Sequence, residues 1–505
     1  EFRKGCNRLE ASREIFTNNY LLFQYHESFN SSIGVLFLCF SSLNALLGRM
    51  QQIYSEAQIC RRNICYRGEP DLERLMQTSR DPAELLWSWQ QWRETVGPPI
   101  KLLYPAVVSL LNQGARNNGY QDIGECWREE LETPDLEETV ERLYQQVEPL
   151  YRLLHAVVRY RLVQLYGTGE VSPTGPIPAH LLVLRFSCRL QSKNYTTLSM
   201  LKRAEDFYTS LGLEPMTSSF WKNSILDKPR GYNGTCHGTA ANMFKPGDYR
   251  MLLCADVTAE DFYVMHHEMG HVEYYMAYKN QPIVFQDGAT SALQEAVGDS
   301  IMYGVMTSSH LERLGLGNRS DDFILLLRQA LGKIPQLPFG LIIDKWRWNV
   351  FRGAITSDQY NEAWWELRRQ YQGVMPPIPR SHKDFDPAAK FHIPDNTPYI
   401  RYFLSEIIQV QMFKGMCEAA IYGRVDSTRA LPMPLHQCDI YGSKQAGRRL
   451  RAMMSLGSSQ PWGTALRFLT GTSTYDVEPL LEYYAPVYQW LQQQIEELEI
   501  PVGWD

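Results

Sequence analysis

Histidine is scarce in this chain, 11 among 505 residues. Cysteine is scarce too, at 10, and no two cysteines have the C-x-x-C spacing of a cysteine zinc site. No long basic run appears and the net charge is −6, which argues against nucleic acid as a partner, because phosphate binding needs a basic face. Long apolar runs are missing. The longest, residues 33–47 (IGVLFLCFSSLNALL), is too short and too serine-interrupted for a membrane span and reads as a buried helix. The chain opens with neither an initiator Met nor a signal peptide. Strand-like alternation is rare; residues 250–254 form one short candidate. There is no internal repeat and no low-complexity linker.

What is present is helical periodicity. Hydrophobic content of 44% with 21% charge is ordinary for a globular protein. Residues 131–166 read as one or two long amphipathic helices, with Thr133 available as N-cap and Pro134 near the start. Residues 81–95, 321–330, 358–371 and 476–498 look similar. Turn-rich breaks fall at 167–178, 228–234 and 375–385. The expectation is a large, mainly α protein with its cleft between helical halves.

Three cysteine pairs are close in sequence: Cys60 and Cys65, Cys236 and Cys254, Cys417 and Cys438. Short-loop disulfides in an oxidising compartment fit this spacing. Cys6, Cys39, Cys126 and Cys188 have no obvious partner. Sequons at Asn30, Asn194, Asn233 and Asn318 permit N-glycosylation. Together these features point to the secretory pathway or the extracellular space, as a secreted form or one tethered by segments outside this chain.

Two of the few histidines stand in His267-Glu268-Met269-Gly270-His271. On a helix, residues four apart share a face, so both imidazoles can aim at one metal ion, with Glu268 beside them to take a proton from water. A catalytic zinc wants three protein ligands and an open position. Glu295, in the later segment Gln294-Glu295-Ala296-Val297-Gly298-Asp299, supplies the third. Asp299 follows one turn after Glu295, placed to orient a ligating imidazole.

Longer motifs then become specific. HHEMGHVEYYMAYKNQP, the EAVGD after it, KFHIPDNTPYIRYF at 390–403, PAHLL at 178–182, DKWRWNVF at 344–351, WWELRRQYQG at 364–373 and PLHQCDIY at 434–441 resemble the angiotensin-converting enzyme family of zinc peptidyl-dipeptidases. The resemblance runs from about residue 46 to 504; residues 1–45 carry no recognisable match. It implies a helical ellipsoid with a deep central cleft, one zinc peptidase domain over residues 46–505, and removal of dipeptides from peptides with a free C-terminus. It implies zinc on His267, His271 and Glu295, with Glu268 as general base and subsequent acid. Tyr402 matches the donor to the reaction's oxyanion, and His392 and His237 match residues that hold substrate. Lys390 and Tyr399 match binders of the terminal carboxylate. The segment 236–240, ending in Ala240, matches one that pairs with the substrate backbone. Family members are activated by chloride. Arg93, Trp364 and Arg368 match one anion site; Arg401 belongs to a second, where the matching tyrosine is Leu131.

Departures from the family limit the expectation. After PAHLL the family continues with a tryptophan-rich helix carrying a carboxylate-binding glutamine; here Cys188 stands at that position and a block of the connection is absent. Two aromatic positions of the family's pocket for the terminal side chain are Gln336 and Glu406. A buried Glu406 without a partner is costly, so the pocket is wetter or Glu406 faces a cation. A preference for a basic terminal residue follows as an expectation. Three readings stay open: an active peptidyl-dipeptidase, a catalytically impaired member that binds peptides or partners, and a shortened form with a compromised fold.

Overall fold

The computed structural model describes residues 31–68, 71–182, 195–226, 238–426 and 428–504. In residues 31–40 only the backbone is described. The described chain is mainly helical, with three two-stranded sheets. It divides into two compact units. One comprises the chain up to Glu137 with Pro178–Leu182 and Leu341–Tyr399; the other comprises Glu138–Ile177, Val183–Gly340 and Ile400–Asp505.

In the first unit the apolar run lies in a helix, Ser31–Glu56. Most side chains of the run expected to be buried lie outside the described residues; of those described in this helix, Leu47, Met50 and Tyr54 are buried, while Ser41, Ser42, Asn44 and Ala45 are exposed. That is a one-sided stripe at helical spacing. No helix among the described residues is long and apolar enough to cross a membrane. A hairpin follows, Gln58–Arg61 with Ile64–Arg67. Cys60 faces Cys65 across it and the two are disulfide-bonded. The turn residues Arg62 and Asn63 sit at φ 50° and 65°. Two left-handed residues match the twist of a two-residue hairpin, but Arg-Asn lacks the glycine that announces such a turn. The helix Pro82–Lys101 begins where expected, its N-cap Asp81 accepting from Ala83 N at 3.0 Å. Tyr104, Trp346, Tyr360 and Phe385 stack and edge together in the core.

The long helix expected from residue 131 starts later, at Leu136, and Thr133 is not its N-cap. Leu131 ends the preceding helix Ile123–Glu130, and the Thr133 hydroxyl bonds back to Leu131 O at 2.9 Å. Glu132 and Asp135 take positive φ, which breaks the periodicity between the two.

The second unit is organised around three helices: Ala259–Ala277, Ser291–Val305 and Ile400–Tyr422. Thr258 and Thr290 cap the first two, accepting from Asp261 N at 3.0 Å and Leu293 N at 3.3 Å. These two helices cross at Gly270 and Gly298. A Cβ on Gly270 would lie 2.4 Å from Gly298 Cα, and one on Gly298 would lie 2.4 Å from His267 O. Only glycine permits so close an approach. Ile400–Tyr422 is buried along most of its length. The strand seen at 250–254 is Tyr249–Leu252, paired antiparallel with Thr239–Asn242. Cys417–Cys438 is a disulfide here. Cys126 and Cys254 each take part in a disulfide of their own as well. Cys6, Cys188 and Cys236 lie outside the described residues, and so does the side chain of Cys39.

Candidate metal centre

The helix crossing at Gly270 and Gly298 decides the site. It sets one turn of Ala259–Ala277 against one turn of Ser291–Val305. His267 Nε2 and His271 Nε2 lie 3.1 Å apart, and Glu295 Oε2 lies 3.3 Å and 3.6 Å from them. All three donor atoms fall within 4.8 Å of one another, a group that could hold a metal ion. His267 Nδ1 is 2.7 Å from Asp299 Oδ1, which commits that nitrogen to the proton and leaves Nε2 a lone pair. His271 Nδ1 is buried without a hydrogen-bond partner. With both imidazoles neutral, as metal ligands must be, two ring nitrogens and a carboxylate oxygen aimed at one point repel through their lone pairs. A dication there removes that repulsion, and two histidines with one glutamate are a zinc-type donor set.

The electrostatics are those of a buried site. Burial pushes His271 down. Burial also opposes charge on His267, but Asp299 outweighs it and raises that imidazole well above its ordinary value. Burial favours the neutral form of Glu295, yet the two imidazoles and Arg401 hold it below the usual range. Glu268 is buried next to His267, and a Cβ on Gly238 would come within 3.2 Å of its Oε1. Gly238 opens the strand Thr239–Asn242, so that strand runs past the carboxylate. Among the described residues this strand has one strand partner, and Tyr275 OH lies 3.4 Å from Ala240 O. Tyr402 sits in the first turn of Ile400–Tyr422, beside Arg401.

Two residues were missed from sequence. Lys333, the last residue of the helix Asp322–Lys333, places Nζ 2.7 Å from Asp299 Oδ2, 2.9 Å from Glu406 Oε1 and 2.7 Å from Tyr263 OH. Tyr263 lies one turn before His267 and its ring is nearly parallel to the imidazole, at 15°. Tyr263 was findable by its spacing; Lys333 carried no local signal. Glu406 therefore faces a cation, the second of the two expected solutions. Burial still raises its carboxyl to about 7, with Lys333 opposing. Its charge is met internally, so it gives no support to a preference for a basic terminal residue.

In the first unit Lys390, His392 and Tyr399 come together. The His392 and Tyr399 rings meet edge-to-face at 4.8 Å, and Lys390 Nζ lies 5.6 Å from the Tyr399 ring centre. Buried Arg347 and Asp344 hold this loop through His392 O at 3.2 Å and Tyr399 N at 2.7 Å. Arg93 is also in this unit, its guanidinium 4.1 Å from the Trp89 ring centre. Burial lowers Arg93 to about 10; Asp386 opposes that, while Arg368 and Arg380 add to it. Arg368 lies 5.9 Å from the ring of Trp364. Leu131 is buried at the end of its helix. His237 lies outside the described residues.

A family model described as angiotensin-converting enzyme matches residues 32–183 and 184–504. The match begins before residue 46 and is split one residue past Leu182, where the sequence departs from the family. Angiotensin-converting enzyme of Bos taurus is 42% identical over 490 residues, covering 91% of this chain and 37% of the bovine protein. Angiotensin-converting enzyme-like protein Ace3 of Mus musculus is 39% identical, over 91% of this chain and 65% of its own length. Angiotensin-converting enzyme of Theromyzon tessulatum is 37% identical, over 96% and 83%. The chain thus spans little more than a third of the bovine relative.

Proposed function

The chain belongs to the angiotensin-converting enzyme family, and from that premise we propose that it is a zinc-dependent peptidyl-dipeptidase releasing dipeptides from the free C-terminus of oligopeptides. The observation that carries this reading is the convergence of His267, His271 and Glu295 beside buried Glu268. His267, His271 and Glu295 would hold the zinc, their Nε2, Nε2 and Oε2 atoms being the ones that converge. When bound, zinc supplies Lewis-acid polarisation of water and of the scissile carbonyl. Glu268 takes the proton from the attacking water and returns it to the departing amine. Tyr402 donates its phenolic hydrogen as negative charge grows on the carbonyl oxygen, and His392 supports that state.

Binding roles follow the same reading. The strand Thr239–Asn242, paired antiparallel with Tyr249–Leu252, runs past Glu268 and is the segment assigned to the backbone of an extended peptide, with His237 preceding it. Lys390 supplies a point charge and Tyr399 a directional donor for the terminal carboxylate. Chloride is the activator, bound by Arg93, Trp364 and Arg368, and at Arg401 by a site that has Leu131 in place of tyrosine. Disulfides and the exposed sequon at Asn318 support a secretory or extracellular location.

One observation favours a second reading, a family member impaired in turnover that still binds peptides: the family match is broken at 183–184. A single experiment separates the two. The purified chain is assayed for zinc and for dipeptide release from a peptide with a free C-terminus, with an amidated copy and Glu268→Gln as controls. The leading reading expects about one zinc per chain, release only from the free-acid peptide, and at least a hundredfold loss in Glu268→Gln. Stoichiometric zinc without turnover rejects it in favour of the second.

A further inference from the structure

Lys333 stands outside every role assigned above, yet it is one contact removed from a zinc ligand. An ammonium group has three hydrogens. Here three acceptors surround it: Asp299 Oδ2, Glu406 Oε1 and Tyr263 OH, all within 2.9 Å. The three come from three different helices, Ser291–Val305, Ile400–Tyr422 and Ala259–Ala277. Glu406 is itself fixed, since its other carboxylate oxygen accepts from Gln409 Nε2, and Gln409 in turn donates to Tyr303 OH at 3.1 Å. Glu406, Lys333, Asp299 and His267 thus form one continuous buried chain of polar contacts ending at a metal ligand.

We propose that Glu406 and Lys333 are positioning residues for the zinc centre, acting through Asp299 on the orientation and donor strength of His267. The inference rests on the metal-centre reading and extends it past Asp299. With its charge divided between two carboxylates, Lys333 locks Asp299 in place without fully neutralising it. Asp299 then remains a strong acceptor from His267 Nδ1, which makes Nε2 a better donor to a cation. Removing the Glu406 charge leaves Lys333 drawing on Asp299 alone. Asp299 becomes a weaker acceptor, and an excess positive charge stands behind Asp299 and His267, close to where a dication binds. Both effects lower zinc affinity.

The test is zinc affinity, measured by competition with a chromophoric chelator on parent protein and on Glu406→Gln, with thermal melts of both metal-free forms. Glu406→Gln is expected to raise the zinc Kd about tenfold. Glu406→Asp, which keeps the charge, recovers part of that loss. Zinc affinity equal to the parent in Glu406→Gln overturns the inference, whatever its melting temperature. Should Glu406→Gln not fold, the paired replacement of Lys333→Met with Glu406→Leu leaves no uncompensated buried charge in the pair. It relieves the pull of Lys333 but removes the anchor that orients Asp299, and, with the anchoring loss the larger effect, zinc binds about tenfold more weakly; parent-like or tighter binding there overturns the inference equally. A parent protein that binds no zinc overturns the metal-centre reading itself, a result distinct from zinc-binding parent and variant that do not differ.

Discussion

At Gly298 a methyl group would meet the backbone of His267 at 2.4 Å to 2.9 Å. No rotamer change relieves a clash with backbone, so Gly298→Ala must push the two helices apart. We expect about 1–3 kcal/mol lost in stability, in the range for overpacked contacts. Zinc binding should weaken with it, because Glu295 and Asp299 ride on the displaced helix. A melt and a zinc titration of Gly298→Ala check this; a variant with parent-like zinc affinity would show that the crossing does not set the site. Sequence reading reached Glu295 and Asp299 by their place in a motif. It did not reach the glycine contact, since backbone proximity between segments leaves no periodicity. Lys333 was illegible for the same reason, lying at the end of an ordinary amphipathic helix whose other features gave no hint of a metal.

At the element scale, the helices were largely legible and their ends were not. The start of Pro82–Lys101 agrees with the range expected from periodicity, and its N-cap Asp81 is a local feature. The break at Glu132 and Asp135 was hidden, because left-handed backbone in acidic residues has no sequence signature. The hairpin at Cys60–Cys65 was seen only as a cysteine pair, and its strands are too short for alternation to show. The two described disulfides should differ in worth. Cys417–Cys438 closes a separation of 21 residues and Cys60–Cys65 one of 5. Chain-entropy arguments assign about 3 kcal/mol to the first and about 2 kcal/mol to the second. Replacing each pair by serines and following denaturant unfolding tests that order; a larger loss from the hairpin pair would contradict it.

For the whole molecule, acid should destabilise the fold. Each unit holds a buried histidine in its neutral form. Burial lowers His180 to about 4. Burial, then Arg313, lowers His310 to about 3, and Arg313 Nη1 sits 2.8 Å from His310 Nδ1, a contact that protonation of that nitrogen would break. Unfolded histidine takes up its proton near pH 6.5. The folded chain binds fewer protons between that value and about 3–4, so stability is full above about 6.5 and falls as the pH drops through this window. Melting temperatures at pH 7.5 and pH 5 should show the decline, with His310→Phe reducing its slope; a midpoint that rises on acidification would rule the account out.

The sequence by itself determined the helical class and the family, and picked out the three residues that converge as a candidate metal site, because helical spacing and long motifs are local and survive in one dimension. It also pointed to the place after Leu182 where the family match is split. Only the tertiary structure decided how Glu406 is accommodated, which cation holds Asp299, and how closely two helices must approach to make three side chains one site. Those depend on distances between segments far apart in the chain, and side chains of ordinary type acquire such roles only when packing brings them within hydrogen-bonding reach.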